Sequence, residues 1–381
     1  MKKFSITFFL TIFLIGTDSL LISPLLPILA QNYHISLAIA GWMVSAYALG
    51  YAIFALLAGP LSEGKNRKHI ILAGLIGFGL STFFCAFAPN FAWMIIFRLF
   101  AGISASFIMP QIYAAVPTLV DGQNRIKLMA TIGAGVSVSA IAGVPIGSVL
   151  ASIIWQFPFI IIALLSAILF IILAKLLPTI QTPKPINHSF FSPYRHIFSN
   201  QRTRLYFLAL LIFFIGVYSN TTFIGTWLAK GFHLPVEIIG FAMLFLGVGQ
   251  LLGSILSPRL TLHFGSSKLL SLVLLTIAIV FFFVPFSTHL VLAIATLFIF
   301  FLLGGIQFPQ WMTLIQESSP QALGTTSSLF SATVYLASTI GGIAGGTLFI
   351  SFPHFFGVSW FSSLGALIAF LILVRIKTKK S

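Results

Sequence analysis

Two ionisable side chains, Asp18 and Arg98, fall well inside long apolar runs of the chain. A charge at the centre of a bilayer costs at least about 2.5–3.5 kcal/mol on insertion scales, so each requires a partner or a task. The chemistry open to them is proton transfer. Burial disfavours an ionised carboxylate and a neighbouring cation favours it, so a change in water access, or in the distance to Arg98, would load and release a proton at Asp18. A permanent ion pair that only ties two helices together is the other reading of the same residues. Their depths are compatible, because Asp18 lies about eleven residues from the outer end of its run and Arg98 about seven from that of its own. At ~1.5 Å per helical residue the difference is roughly 6 Å.

The elements that must position them are membrane helices. Hydrophobic residues make up 59% of the chain and charged residues 7%, whereas a water-soluble globule carries about a quarter charged. The net charge of +15 would suit nucleic acid only if the basic residues gathered on one folded face. They sit instead in short loops between apolar spans, so no nucleic-acid partner is expected. Runs long enough to cross a bilayer occur at 5–29, 37–61, 69–88, 91–118, 127–152 and 157–177, and again at 205–229, 236–258, 268–286, 289–316, 324–350 and 355–375. The opening Met1-Lys2-Lys3 and its apolar run imitate a secretion signal. The run is longer than a signal core, carries Asp18 and Pro24 and lacks a small-x-small cleavage site, so it reads as a retained first helix.

Twelve spans put both termini on one side. Lys2, Lys3, Lys65, Arg67, Lys68, Arg125, Lys175, Arg259, Lys268 and Arg375 then share that side, and Lys230 falls on the other. The positive-inside tendency makes the basic side cytoplasmic, which leads to the expectation of a multi-pass protein of a bacterial inner or plasma membrane. Residues 178–204, rich in Pro, Ser, His and basic side chains, read as a cytoplasmic linker between six-helix bundles at 1–177 and 205–381. The bundles repeat at one ungapped shift that aligns Gly41 with Gly240, Gly50 with Gly249, Leu61 with Leu260, Pro110 with Pro309, Gln111 with Gln310, Gly143 with Gly342 and Gly147 with Gly346. At that shift Asp18 faces Val217, so the second bundle has no matching acid.

Several stretches carry a resemblance. The turn Gly59-Pro60-Leu61-Ser62-Glu63-Gly64-Lys65-Asn66-Arg67-Lys68 resembles the helix 2 to helix 3 signature of the major facilitator superfamily, Gly-x-Leu-x-Asp-Arg-x-Gly-Arg-Lys, with Glu63, Gly64 and Asn66 as departures. Arg98-Leu99-Phe100-Ala101-Gly102 is similar to the helix 4 motif, with Ala101 in place of Gln. Gly143-Val144-Pro145-Ile146-Gly147 looks like the antiporter motif of twelve-helix drug and sugar exporters. Trp155-Gln156-Phe157-Pro158-Phe159 follows it as their Trp-Arg-x-x-Phe does, with Gln156 in place of Arg. The first span's Gly16-Thr17-Asp18, running to Pro24-Leu25-Leu26-Pro27, resembles their opening helix. The chain is identified on these residues with the twelve-helix drug:proton antiporter branch, near the arabinose-efflux-like permeases.

That resemblance implies an all-α membrane fold in which helices 1, 4, 7 and 10 line a central cavity. The implied cavity groups are Gln111 and Tyr113 on helix 4, Tyr218 and Asn220 on helix 7, and Gln307, Gln310 and Trp311 on helix 10. A few amides and aromatics in an apolar chamber suit an amphipathic or weakly cationic compound, and interhelical hydrogen bonding is the plainer reading of each. Glu63 would stand near Gly324-Thr325-Thr326 at the start of helix 11 and latch the outward-open state. Gly143 and Gly147, four apart, share a helix face that admits a close neighbour, and Pro145 between them invites a kink. The expectation is a monomeric secondary transporter that exports a small organic compound in exchange for protons. A sugar or metabolite permease or uniporter not coupled through Asp18, and a non-transporting membrane sensor, are the rival readings. The eight histidines lie near loops and span ends and form no metal cluster, Cys85 reads as core filler, and no catalytic motif or cofactor is expected.

Overall fold

The computed structural model describes residues 2–62, 65–120, 122–180, 192–319 and 323–378. Fifteen α-helices are present among them: α1 Lys2–Asn32, α2 Leu37–Ala40, α3 Trp42–Ser62, α4 Arg67–Ala86, α5 Phe91–Leu119, α6 Gly122–Val138, α7 Val144–Ile153, α8 Phe157–Leu176, α9 Ser192–Ser199, α10 Gln201–Gly231, α11 Val236–Phe264, α12 Ser266–Phe283, α13 Leu290–Ser318, α14 Leu323–Ser351 and α15 Phe356–Thr378. Twelve spans among the described residues are long and apolar enough to cross a membrane, with α2 and α3 forming one and α6 and α7 another. An even number returns the chain to its starting side. The face that holds both termini is called proximal below and the opposite face distal.

Helices outrun the apolar segments at several ends. α10 begins at Gln201 rather than 205, because the Asn200 side chain accepts from the Arg202 backbone N–H at 2.9 Å and the Arg202 guanidinium reaches the Tyr206 hydroxyl one turn on at 3.1 Å. A capped first turn can be polar and still be helical. The linker also holds a helix that hydropathy does not signal. α9 packs on α10 and α14, and the Tyr194 hydroxyl donates to the Leu56 carbonyl of α3 at 3.2 Å.

Within the first bundle α5 lies between α3 and α4, and in the second α13 packs on α11 and α12. The bundles meet where α3 packs on α14, α7 on α11 and α1 on α10. The fifth span is interrupted by a π-turn at Ser139–Gly143 immediately before α7, whose second residue is Pro145. A proline there removes one backbone donor, and the wider turn accommodates the mismatch. Gly143 and Gly147 both face α1: a side chain at Gly143 would collide with Thr17, and a Cβ at Gly147 would lie 2.7 Å from Leu21. Gly102 of α5 is closed in the same way by the Tyr47 carbonyl of α3, whereas Gly133 of α6 has open space around it.

Replacing Gly102 with Ala should therefore separate α3 from α5 and cost about 1–3 kcal/mol of stability, while Gly133→Ala should cost nothing measurable. Thermal unfolding of the two variants in one detergent would check the contrast.

Candidate functional site

The centre of the first bundle is built from three helices. α1 presents Asp18, α5 presents Arg98, and α3 supplies the wall behind them. Both charged side chains are fully withdrawn from solvent, and Arg98 Nη1 donates to Asp18 Oδ2 at 2.7 Å. Arg98 Nε donates to the Met43 carbonyl at 3.3 Å, and the guanidinium lies over the Tyr47 ring, 4.6 Å from its centroid. Asp18 Oδ1, Arg98 Nη2 and the Tyr47 hydroxyl are buried without hydrogen-bond partners among the described residues. Only part of the pair's hydrogen-bonding capacity is used. A buried ion pair whose lone pairs and protons are incompletely met recovers less of its desolvation cost than a fully bonded one, so this arrangement is costly to hold and sensitive to a single proton.

The turn between α3 and α4 is strapped from behind. Asn66 caps α4 by accepting from the Lys68 backbone at 3.1 Å, the Arg67 backbone N–H donates to the Ile180 carbonyl at 2.9 Å, and Ile180 donates back to Asn66 Oδ1 at 3.0 Å. Gly59 and Leu61 lie in the last turns of α3. Glu63, expected to latch helix 11, lies outside the described residues, as does Gly64.

Two of the seven expected cavity residues are engaged elsewhere. Gln111 Oε1 accepts from Arg67 Nη1 at 2.6 Å, and its Nε2 donates to the Ala58 carbonyl at 3.5 Å. Gln310, its partner in the repeat, donates to the Ser257 and Thr261 hydroxyls of α11 at 2.9 and 2.7 Å. Both glutamines sit toward the proximal ends of α5 and α13, and each clamps a neighbouring helix. Gln310 Oε1 alone is left over.

The other five have fewer partners or none among the described residues. Tyr113 and Tyr218 are half-buried. Asn220 Nδ2 donates to Ser359 of α15 at 3.2 Å, and its Oδ1 has no partner among the described residues. Gln307 Oε1 and Trp311 Nε1 are also buried without partners among the described residues, and the Trp311 ring lies 6.1 Å from that of Phe213. A buried polar atom left unmet costs about 1–3 kcal/mol, so these groups are suited to receive a ligand.

Sequence reasoning missed the contacts that join the bundles. The Tyr51 and Tyr335 rings stack 3.7 Å apart across the α3–α14 seam. Ser45 of α3 donates to the Thr339 carbonyl at 2.9 Å, and Ser23 of α1 donates to the Thr221 and Thr222 carbonyls of α10 at 2.9 Å each. Cβ atoms added at Gly41, Gly225 and Gly240 would lie 2.6–2.8 Å from atoms of the opposite bundle. The serine and glycine contacts fall in the distal half of the spans, and the tyrosine stack lies near their middle. One signal was present: the chain has 42 phenylalanines and 8 tyrosines, and two of the scarce ones, Tyr47 and Tyr51, stand one helical turn apart. Grooves of about 640 and 650 Å³ open away from this centre, one beside Lys65 and His69 and the other at the distal surface beside Trp155 and Glu237, and neither touches Asp18.

A family model described as Major Facilitator Superfamily matches residues 8–342. A Bacillus subtilis protein described as "Uncharacterized MFS-type transporter YceJ" is 43% identical over 94% of this chain and 92% of its own length. "Multidrug resistance protein 1" of the same organism is 27% identical over 93% of each chain. The crystal structure of a D-xylose-proton symporter superposes with a TM-score of 0.82 at 14% identity, covering 98% of this chain and 97% of that one. At that identity the likeness speaks for the fold.

The two charges should not be equivalent in stability. Asp18→Asn strands a guanidinium that cannot shed its charge and should cost about 3–5 kcal/mol. Arg98→Met leaves a carboxylate that takes up a proton and should cost less, and the double variant should recover most of the Asp18→Asn loss. Unfolding midpoints of the three variants in one detergent would check this order.

Proposed function

The chain belongs to the major facilitator superfamily and is a secondary transporter of a membrane, and from that premise we propose that it exports a small organic compound in exchange for protons by alternating access. The observation that carries the reading is the Asp18–Arg98 pair, buried at 2.7 Å with one carboxylate oxygen and one guanidinium nitrogen unmet. A proton arriving at Asp18 removes the charge that holds Arg98, and the exchange of one proton for one cargo needs a group with two such states. The absence of an acid at Val217 leaves the second bundle to neutral recognition, with Tyr218, Asn220, Gln307 and Trp311 as cargo contacts and Tyr113 facing them from the first.

Export is supported by the likeness to the multidrug resistance protein and by the glycine pair Gly143 and Gly147, which seats α1 on either side of Asp18 through Thr17 and Leu21. The basic loops support a reading with the proximal face in the cytoplasm, in a bacterial plasma membrane. On that orientation the distal contacts at Ser23 and Ser45 close the extracellular side, and the conformer is one that takes cargo from within.

The test is transport by purified protein in liposomes with a pH-sensitive dye inside and a panel of amphipathic organic compounds outside. An imposed pH gradient should drive uptake of at least one compound, with a matching proton flux. Asp18→Asn, reconstituted at equal folded amounts, should lose both fluxes to background while still binding that compound. Gradient-driven transport that survives Asp18→Asn would refute the coupling.

A further inference from the structure

The residues around the ion pair continue into a line that leaves the first bundle. Met43, Tyr47 and Tyr51 are spaced by four on α3 and so share one helix face. Each touches a different thing. The Met43 carbonyl accepts from Arg98 Nε, the Tyr47 ring lies under the guanidinium, and the Tyr51 ring stacks on Tyr335 of the opposite bundle at an interplanar angle of 20°. Tyr47 is held against α5 by Gly102, where a side chain would strike its carbonyl. Tyr335 is also within electrostatic reach of Tyr47 and Tyr218. One turn further along the seam from Tyr335, the Thr339 carbonyl receives the Ser45 hydroxyl.

We propose that this face of α3 transmits the state of the Asp18–Arg98 pair to the contact between the bundles, with Tyr47 and Tyr51 as positioning residues that keep the α3–α14 seam shut, from mid-membrane to its distal end, while the pair is ionised. The inference rests on the reading of Asp18 as a proton-accepting group. The physical reason is Arg98. Its charge is permanent, so a proton on Asp18 leaves a buried cation without a counter-charge among the described residues, held by the Met43 carbonyl and the face of Tyr47. An uncompensated buried cation is unstable, and the guanidinium must turn toward water or another acceptor. The Tyr47 ring then loses the cation that orients it, the α3 face shifts, and the Tyr51–Tyr335 stack one turn away parts. A cargo that competes for Arg98 or wedges between the tyrosines would release the seam by the same route. An exchanger needs this logic, because the carrier empty of both proton and cargo must not switch. The titratable groups beside the pair are Tyr47 on α3 and Cys85 on α4, with Tyr51, Tyr218 and Tyr335 beyond them. None of these supplies a second carboxylate that would hold Arg98 once Asp18 is neutral.

The experiment uses full-length protein in nanodiscs with Cys85→Ser and spin labels at Ser36→Cys and Phe352→Cys, exposed distal positions on the two sides of the α3–α14 seam. Electron–electron distance distributions give the ratio of distal-open to distal-closed molecules. Asp18→Asn should raise that ratio, Tyr47→Phe and Tyr51→Phe should leave it as in the parent, and Tyr47→Leu or Tyr51→Leu should raise it. In either leucine background Asp18→Asn should add little, giving a non-additivity of about fivefold or more. A full Asp18→Asn shift in both leucine backgrounds would overturn the relay and leave the proton-coupling reading standing. No shift from Asp18→Asn in any background would overturn both.

Discussion

A guanidinium that cannot lose its charge, placed where lipid excludes water, dictates the packing of the first bundle. Arg98 is stable at this depth only with Asp18 at 2.7 Å and with further acceptors around it. α3 meets that demand by bringing the Met43 carbonyl and the Tyr47 ring against α5, an approach that Gly102 permits by having no side chain. α1 meets it by holding Asp18 at the right height, and it is seated there by Gly143 and Gly147, which receive Thr17 and Leu21 on either side of the acid. Signature residues far apart in the sequence thus serve one electrostatic requirement.

The second bundle repeats the architecture without the charge. Its buried Asn220 Oδ1, Gln307 Oε1 and Trp311 Nε1 are neutral and have no partners among the described residues, and Val217 stands where the acid would be. The division of labour proposed for the two halves follows from this asymmetry: the first senses a proton and the second contributes most of the contacts to cargo. The two meet along seams whose contacts are small and close, with glycines, serines and one stacked tyrosine pair in place of large interlocking side chains. Seams of this kind separate with few bonds to break, which suits elements that rock as rigid bodies.

Hydropathy and loop charge make the twelve spans and the two halves legible because lipid imposes both on the sequence directly. The Asp18–Arg98 contact was legible for a related reason: intramembrane charges are costly enough to demand each other, and helix geometry fixes their depth. The hydrogen bonds of Gln111 and Gln310 were not legible, because a buried amide is equally at home in a chamber or against a helix end and nothing in sequence spacing tells which way it points. Arg67 reaches back to Gln111 along a long flexible side chain, a contact that no periodicity encodes. The helix at Ser192–Ser199 escaped notice because its polar sequence draws stability from docking on α10 and α14 rather than from an apolar run. The tyrosine stack depends on two bundles meeting at one height, a tertiary fact with only the scarcity of tyrosine to hint at it.

Proton coupling through this pair requires that Asp18 exist in two protonation states within the range in which the protein works. The chain has five acidic residues, so the carboxyl C=O stretch of one buried acid is resolvable by infrared difference spectroscopy of protein in lipid, recorded between mildly acidic and mildly alkaline pH. The account predicts a band for a protonated carboxyl group in a dry environment that appears on acidification, vanishes at high pH and is missing from Asp18→Asn. A spectrum in which Asp18 contributes no band that changes across this interval, in either direction, would contradict it.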